Sequence, residues 1–245
     1  MSNANPTAME SKYKRAKLII VILVAVVLFL LVVVAAQMAT QPSAQSTPAQ
    51  PAPSESASQP QDEQTQIALR DPDDPMALGD VDAPIVMVQW TDMRCPYCAV
   101  FSRDTLPVLV EEYVDTGDVR IEVRDVAFFG DEAPAVAARA AGNQGMFAEY
   151  LSAVYEAAPE SGHPELAREQ LIAVAEQIGV PDIDKFVTDL DDPELLALVK
   201  ESTTTAQQLG VNSVPFFVVG NQALSGAQPL DVFREFLDTA LAEVQ

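Results

Sequence analysis

Ile85-Val86-Met87-Val88-Gln89-Trp90 runs through Thr91-Asp92-Met93-Arg94 into Cys95-Pro96-Tyr97-Cys98. The first six residues are short, rich in β-branched and apolar side chains, and bounded by Pro84 and the Thr91-Asp92 pair, which predicts a buried strand. Pro96 suits the first turn of a helix, where a missing N–H costs nothing. Apolar residues at Val100, Phe101, Leu106, Leu109, Val110 and Tyr113 extend that helix, and Pro107 is expected to kink it. Val119-Arg120-Ile121-Glu122-Val123-Arg124 alternates as a second strand, completing a βαβ unit. The chain's two cysteines therefore stand where a strand turns into a helix. Two thiols with two residues between them can close into a reducible disulfide, and the first can be held as a thiolate by the helix N-terminus.

Working toward the C-terminus, 133–141, 146–157, 164–178, 183–190 and 193–209 are rich in Ala, Leu, Glu and Gln and separated by Gly or Pro, so they read as one helical block. Strand character returns at Pro215-Phe216-Phe217-Val218-Val219. A turn at Gly220-Asn221, the stretch Gln222-Ala223-Leu224 and an amphipathic helix from about 229 to 242 make a ββα half. The fold expected is α/β, with the block of about 133–209 inserted between the two halves.

Toward the N-terminus, residues 18–36 form an uninterrupted apolar run of 19 residues, long enough to span a bilayer. Lys12, Lys14, Arg15 and Lys17 precede it and no Lys or Arg follows until Arg70. The positive-inside rule thus places 1–17 in the cytoplasm and exports the rest, the run serving as a retained single-pass signal anchor. A cleaved signal peptide is the competing reading, with Val34-Ala35-Ala36 as the cut site. Residues 37–66, with Pro42, Pro48, Pro51, Pro53 and Pro60 among Ser, Ala, Gln and Thr, read as a disordered tether. Residues 67–245 have the length and apolar content of a single domain.

The formal net charge of −22 lies wholly beyond the basic N-terminus. Nucleic acid is excluded as a partner, since phosphate binding needs a basic face. A structural zinc site needs four Cys or His ligands, and two cysteines with the single histidine, His163, supply three. A copper chaperone using two thiolates is a weak alternative. A disulfide between such near neighbours closes too short a loop to be kept for stability alone, which argues against a purely structural or client-binding module.

Three stretches, 78–84 (Leu-Gly-Asp-Val-Asp-Ala-Pro), 92–98 (Asp-Met-Arg-Cys-Pro-Tyr-Cys) and 210–220 (Gly-Val-Asn-Ser-Val-Pro-Phe-Phe-Val-Val-Gly), resemble the DsbA-like thiol-disulfide oxidoreductases of bacteria. The resemblance covers essentially 76–245 and implies a thioredoxin fold with a helical insertion, needing no cofactor or metal. It also implies a membrane-anchored oxidase that accepts electrons from exported proteins with free thiols and is reoxidised by a quinone-linked membrane partner. Reductase and isomerase remain the alternatives. Isomerases of this broad group usually carry an N-terminal dimerisation domain, and the stretch before Met76 reads instead as anchor and tether, so a monomer is expected.

The site residues follow. Cys95 is expected to be the exposed nucleophile and Cys98 the more buried resolving thiol, with Pro96 and Tyr97 tuning the potential between them. Pro215 resembles the cis-proline that faces the dithiol in this fold, with Val214 presenting its backbone to substrate. Trp90 is a candidate for lining a substrate groove, core packing being the alternative. Gln89 stands where many relatives hold a buried acid, which leaves Asp92 as a proton-handling candidate, or a helix cap. Arg94 either adds positive charge beside Cys95 or points to solvent. His163 reads as an incidental loop residue.

Overall fold

The computed structural model describes residues 67–159 and 161–244. The anchor and tether expected at 18–36 and 37–66 lie outside them. Among the described residues no helix is long and apolar enough to cross a membrane.

The strand that opened the sequence reading is β2 (Ile85–Thr91), buried along its whole length. It lies at the centre of a five-stranded sheet ordered β1-β3-β2-β4-β5, where β1 is Ala77–Leu78, β3 Val119–Asp125, β4 Phe216–Val219 and β5 Gln222–Ser225. β2 and β3 are parallel, pairing Ile85 with Val119 through Thr91 with Asp125. β4 is antiparallel to β2, β5 to β4, and β1 to β3. The parallel pair needs a crossover, which the helix after the dithiol supplies. The two-residue β1 has no readable alternation and was not expected. It is closed by Gly79 at φ 89°, where an added Cβ would come within 2.9 Å of Val119 O.

That crossover, α1, covers 96–114 and is not uniformly α-helical. Pro96–Val100 is α-helical, Phe101–Thr105 π-helical, Leu106–Leu109 α-helical and Val110–Val114 π-helical. The Leu106 N–H reaches back five residues to Phe101 O. This wider turn falls immediately before Pro107, which has no N–H to give and whose ring crowds the preceding turn. The kink expected at Pro107 is thus taken up by a π turn, and the run continues to Val114.

The inserted block comprises α2 (Ala133–Gly142), α3 (Phe147–Glu156), α4 (Arg168–Ile178), α5 (Ile183–Asp189) and α6 (Pro193–Gln208). α4 begins later than the expected 164. Residues 161–167 are irregular, and the start is set by the Gln170 side chain, whose Oε1 accepts from Ala167 N–H at 2.9 Å. α7 (Leu230–Val244) closes the fold. Phe101, Phe217 and Phe233 join α1, β4 and α7 with ring centroids 4.6–5.0 Å apart. The block is tied to the end of β3 by hydrogen bonds from Ser202 Oγ to Asp125 O and from Ala127 N to Thr203 Oγ1. Both thiols consequently sit where the central strand, the first helix and the inserted helices meet.

Candidate active site

Cys95 occupies the N-cap of α1 with extended backbone, and Pro96 is the first helical residue. Its amide donates to Asp92 O at 2.9 Å, so the turn leaving β2 aims the residue at the helix start. Across from it the Val214–Pro215 peptide is cis. Cys95 Sγ is 3.4 Å from Val214 O, to which the thiol donates. Both cysteines stand as free thiols.

Cys95 was expected to be exposed, but only 3 % of its surface is. It opens into a cleft of about 640 Å³ walled by Tyr97 and Val100 of α1, Phe128 and Phe129 after β3, His163, and Val214. Cys98 is fully enclosed. Their acidities diverge. The thiol of Cys95 is brought down from 9.0 to about 7, chiefly by the hydrogen bond from the Cys98 side chain. Desolvation opposes this, and the backbone N–H groups of Cys98 and Tyr97 assist it. Burial pushes Cys98 well above its ordinary value, and its interaction with Cys95 pushes the same way. At neutral pH the pair can hold one negative charge, placed on the sulfur that faces the cleft.

The remaining candidates divide. Tyr97 is 66 % exposed at the rim. Trp90 does not line the thiol cleft. It is 3 % exposed, its ring 6.0 Å from that of Phe216, and it faces a separate cavity with Met76 and Leu195. Strand alternation explains the correction, since Thr91, one residue on, is the side chain that reaches Cys98. The N-cap of α1 is Cys95, with no side-chain cap hydrogen bond, so Asp92 is not the helix cap. Its Oδ1 accepts from Arg94 N at 2.9 Å and its Oδ2 from Phe129 N at 3.2 Å, and burial raises its pKa. Arg94 takes neither of its two expected positions. Its Nε donates to Pro164 O and its Nη1 to Phe129 O, each at 2.9 Å. Gln89 is 1 % exposed, and neither of its amide atoms finds a partner among the described residues. His163 lies in the irregular stretch ahead of α4, as expected of a loop residue, and its ring stacks on Phe129 with centroids 3.9 Å apart.

Two further residues were missed. Thr91 Oγ1 and Tyr155 OH lie 2.6 Å apart, and Tyr155 OH donates to Asp92 O at 3.1 Å. Thr91 hydrogen-bonds Cys98 and lowers its pKa, against the larger effect of burial. Tyr155 reaches the site from α3, 63 residues beyond Asp92, so local pattern carries no trace of it. Among the described residues no group of three or more His, Cys, Asp or Glu side chains converges on a common metal position.

A buried dithiol at a helix N-terminus, opposite a cis-proline on a sheet interrupted by helices, defines a thioredoxin-fold redox protein. The thioredoxin family model matches residues 71–239. Disulfide bond formation protein D of Bacillus anthracis, itself described as probable, is 29% identical over 145 residues, covering 57% of this chain and 67% of the relative. The Na(+)/H(+) antiporter NhaA of Herminiimonas arsenicoxydans is 31% identical over 144 residues, 58% of this chain but only 22% of that protein. The solved structure of oxidised BdbD from Bacillus subtilis superposes with a TM-score of 0.63 at 22% identity, covering 68% of this chain and 92% of that one. The chain belongs to the thioredoxin family, and within it to the DsbA-like thiol-disulfide oxidoreductases.

Proposed function

We propose that this protein is a disulfide-donating oxidase, working outside the cytoplasm while held to the membrane by 18–36. The observation that carries the reading is the divergence of the two thiols, with Cys95 at about 7 and Cys98 well above its ordinary value. A low-pKa thiolate is a good leaving group and stabilises the reduced enzyme, which makes the oxidised form the better electron acceptor. In the proposed reaction a substrate thiolate attacks Cys95 Sγ of the Cys95–Cys98 disulfide, and Cys98 leaves and takes up a proton. The second substrate thiolate then attacks the substrate sulfur of the mixed disulfide and expels Cys95 as thiolate. The substrate loses two electrons to form its disulfide and the enzyme gains them as a dithiol.

The name of the Bacillus anthracis relative supports the oxidising direction. Exported proteins with free thiols are the substrates of this reading, a quinone-linked membrane protein restores the disulfide, and the enzyme acts as a monomer. Its position is supported by the basic residues before 18–36 and the lack of Lys or Arg from there to Arg70. Reductase and isomerase are the competing directions.

The test is the reduction potential of the Cys95–Cys98 pair in the full-length protein, equilibrated against glutathione buffers. A value above the glutathione couple supports disulfide donation. A value near that of thioredoxin, about −270 mV, replaces the oxidase with a reductase. Protease protection in membrane vesicles of defined orientation tests the placement of 67–245 outside the cytoplasm.

A further inference from the structure

Arg94 immediately precedes the nucleophile, yet it is not among the leading influences on the acidity of Cys95. Its guanidinium instead joins two segments far apart in sequence. Nη1 donates to the carbonyl of Phe129, in the turn after β3, and Nε to that of Pro164, in the irregular stretch before α4. Asp92 completes the arrangement by accepting from the amides of both Arg94 and Phe129. The segments so joined carry Phe129 and His163, which stack on one another and wall the cleft into which Cys95 opens. Phe129 is 36 % and Tyr97 66 % exposed, so two large apolar side chains left uncovered by the fold stand at this same opening.

We propose that Arg94 is a positioning residue that builds a specificity subsite, holding Phe129 and His163 as one aromatic wall against which an aromatic side chain beside the substrate's cysteine packs. The inference rests on the oxidoreductase reading and adds the substrate feature that the cleft selects. Aromatic rings match the wall because stacked and edge-on rings attract beyond simple area burial. The bidentate reach of Arg94 is what a lysine cannot reproduce.

The test compares two dithiol peptides identical except for Phe or Ser beside the reacting cysteine, oxidised by the full-length protein with oxidised glutathione regenerating its disulfide, and with dithiothreitol as a small third substrate. The ratio of kcat/KM between the peptides cancels any change in the reactivity of Cys95. It is expected to favour the Phe peptide about tenfold, through KM, as for a filled apolar subsite. Arg94→Ala and His163→Ala are expected to bring the ratio close to one, with Arg94→Lys between. Because His163 is the only histidine, its ring-proton resonances are assigned without ambiguity, and their ring-current shift from Phe129 is expected to disappear in Arg94→Ala. Should Arg94→Ala fail to fold, His163→Ala carries the kinetic test. No preference in the wild type, or a preference that survives both alanine variants, overturns the subsite. Failure to oxidise even dithiothreitol overturns the oxidase reading instead.

Discussion

Two clusters of buried polar groups flank the paired strands β2 and β3, and they are compensated differently. On β3, Glu122 is fully buried, and its carboxylate accepts from the amides of Leu69 and Arg70 and from the side chains of Arg120 and Arg124, while Arg124 also reaches Asp74. In the first turn of α1, Cys98 is as deeply buried but faces the hydroxyl of Thr91 and the sulfur of Cys95, with no basic side chain among its leading influences. The first cluster pays for burial with opposite charge and holds its ionisation state. The second leaves a thiol pair whose charge is shared, and such a pair changes state when it exchanges electrons. Burial alone therefore does not mark a functional group; in this molecule the reactive pair is the one buried without a compensating charge.

The largest way to break this contrast is to remove the compensation on β3. Glu122→Gln leaves Arg120 buried without its anion, and the denaturation free energy is expected to fall by about 3–5 kcal/mol in a urea titration. Desolvation raises the Glu122 pKa, but the Leu69 and Arg70 amides and the arginines outweigh it and hold it below 4.5. Its contribution is thus fully present above that pH and is lost as pH falls through the lower, folded value. A wild-type denaturation midpoint in urea that declines below pH 4.5, with a weaker decline in Glu122→Gln, checks the sign.

At the thiol pair the effect is one of reactivity. Alkylation of the reduced protein by iodoacetamide is expected to be half-maximal near pH 7 and confined to Cys95. Because the Cys98 side chain is the leading cause, Cys98→Ala is expected to move that midpoint back toward 9.0. The depressed pKa also makes the reduced protein more stable at pH 9 than at pH 7, a gain lost as pH falls through about 7.

Tyr155→Phe removes the hydrogen bonds to Thr91 and Asp92 and is expected to cost about 1 kcal/mol in the same urea titration, a smaller effect than the loss of charge at Glu122. Smallest is Gln89→Leu. It replaces an unpartnered buried amide with an apolar group of similar size, so stability is expected to be unchanged or higher by about 1 kcal/mol. A large loss there would show that Gln89 belongs with the compensated groups.

What could be read in advance followed local chemistry. The strand, the Cys95-Pro96 helix start and the placement of the helical insertion are each written within a few residues, because periodicity, capping and proline geometry act over that range. Errors fell where distant segments meet. Trp90 and Thr91 are adjacent in sequence, yet opposite faces of β2 give one to a separate cavity and the other to Cys98. The 164–167 stretch has helical composition, but the Gln170 cap starts α4 later and Arg94 engages the Pro164 carbonyl.

Sequence by itself determined the dithiol, the βαβ and ββα halves and the chemistry open to two cysteines at a helix start. Only the tertiary structure decided that Cys95 is reached through a cleft, that Tyr155 and Thr91 stand beneath Cys98, and that Arg94 joins two distant loops into one wall. The reason is physical. The leading influences on the acidity of both thiols lie within seven residues of them, whereas the carbonyl that Cys95 meets and the phenol that bonds Asp92 come from segments more than 50 residues away, beyond the reach of local pattern.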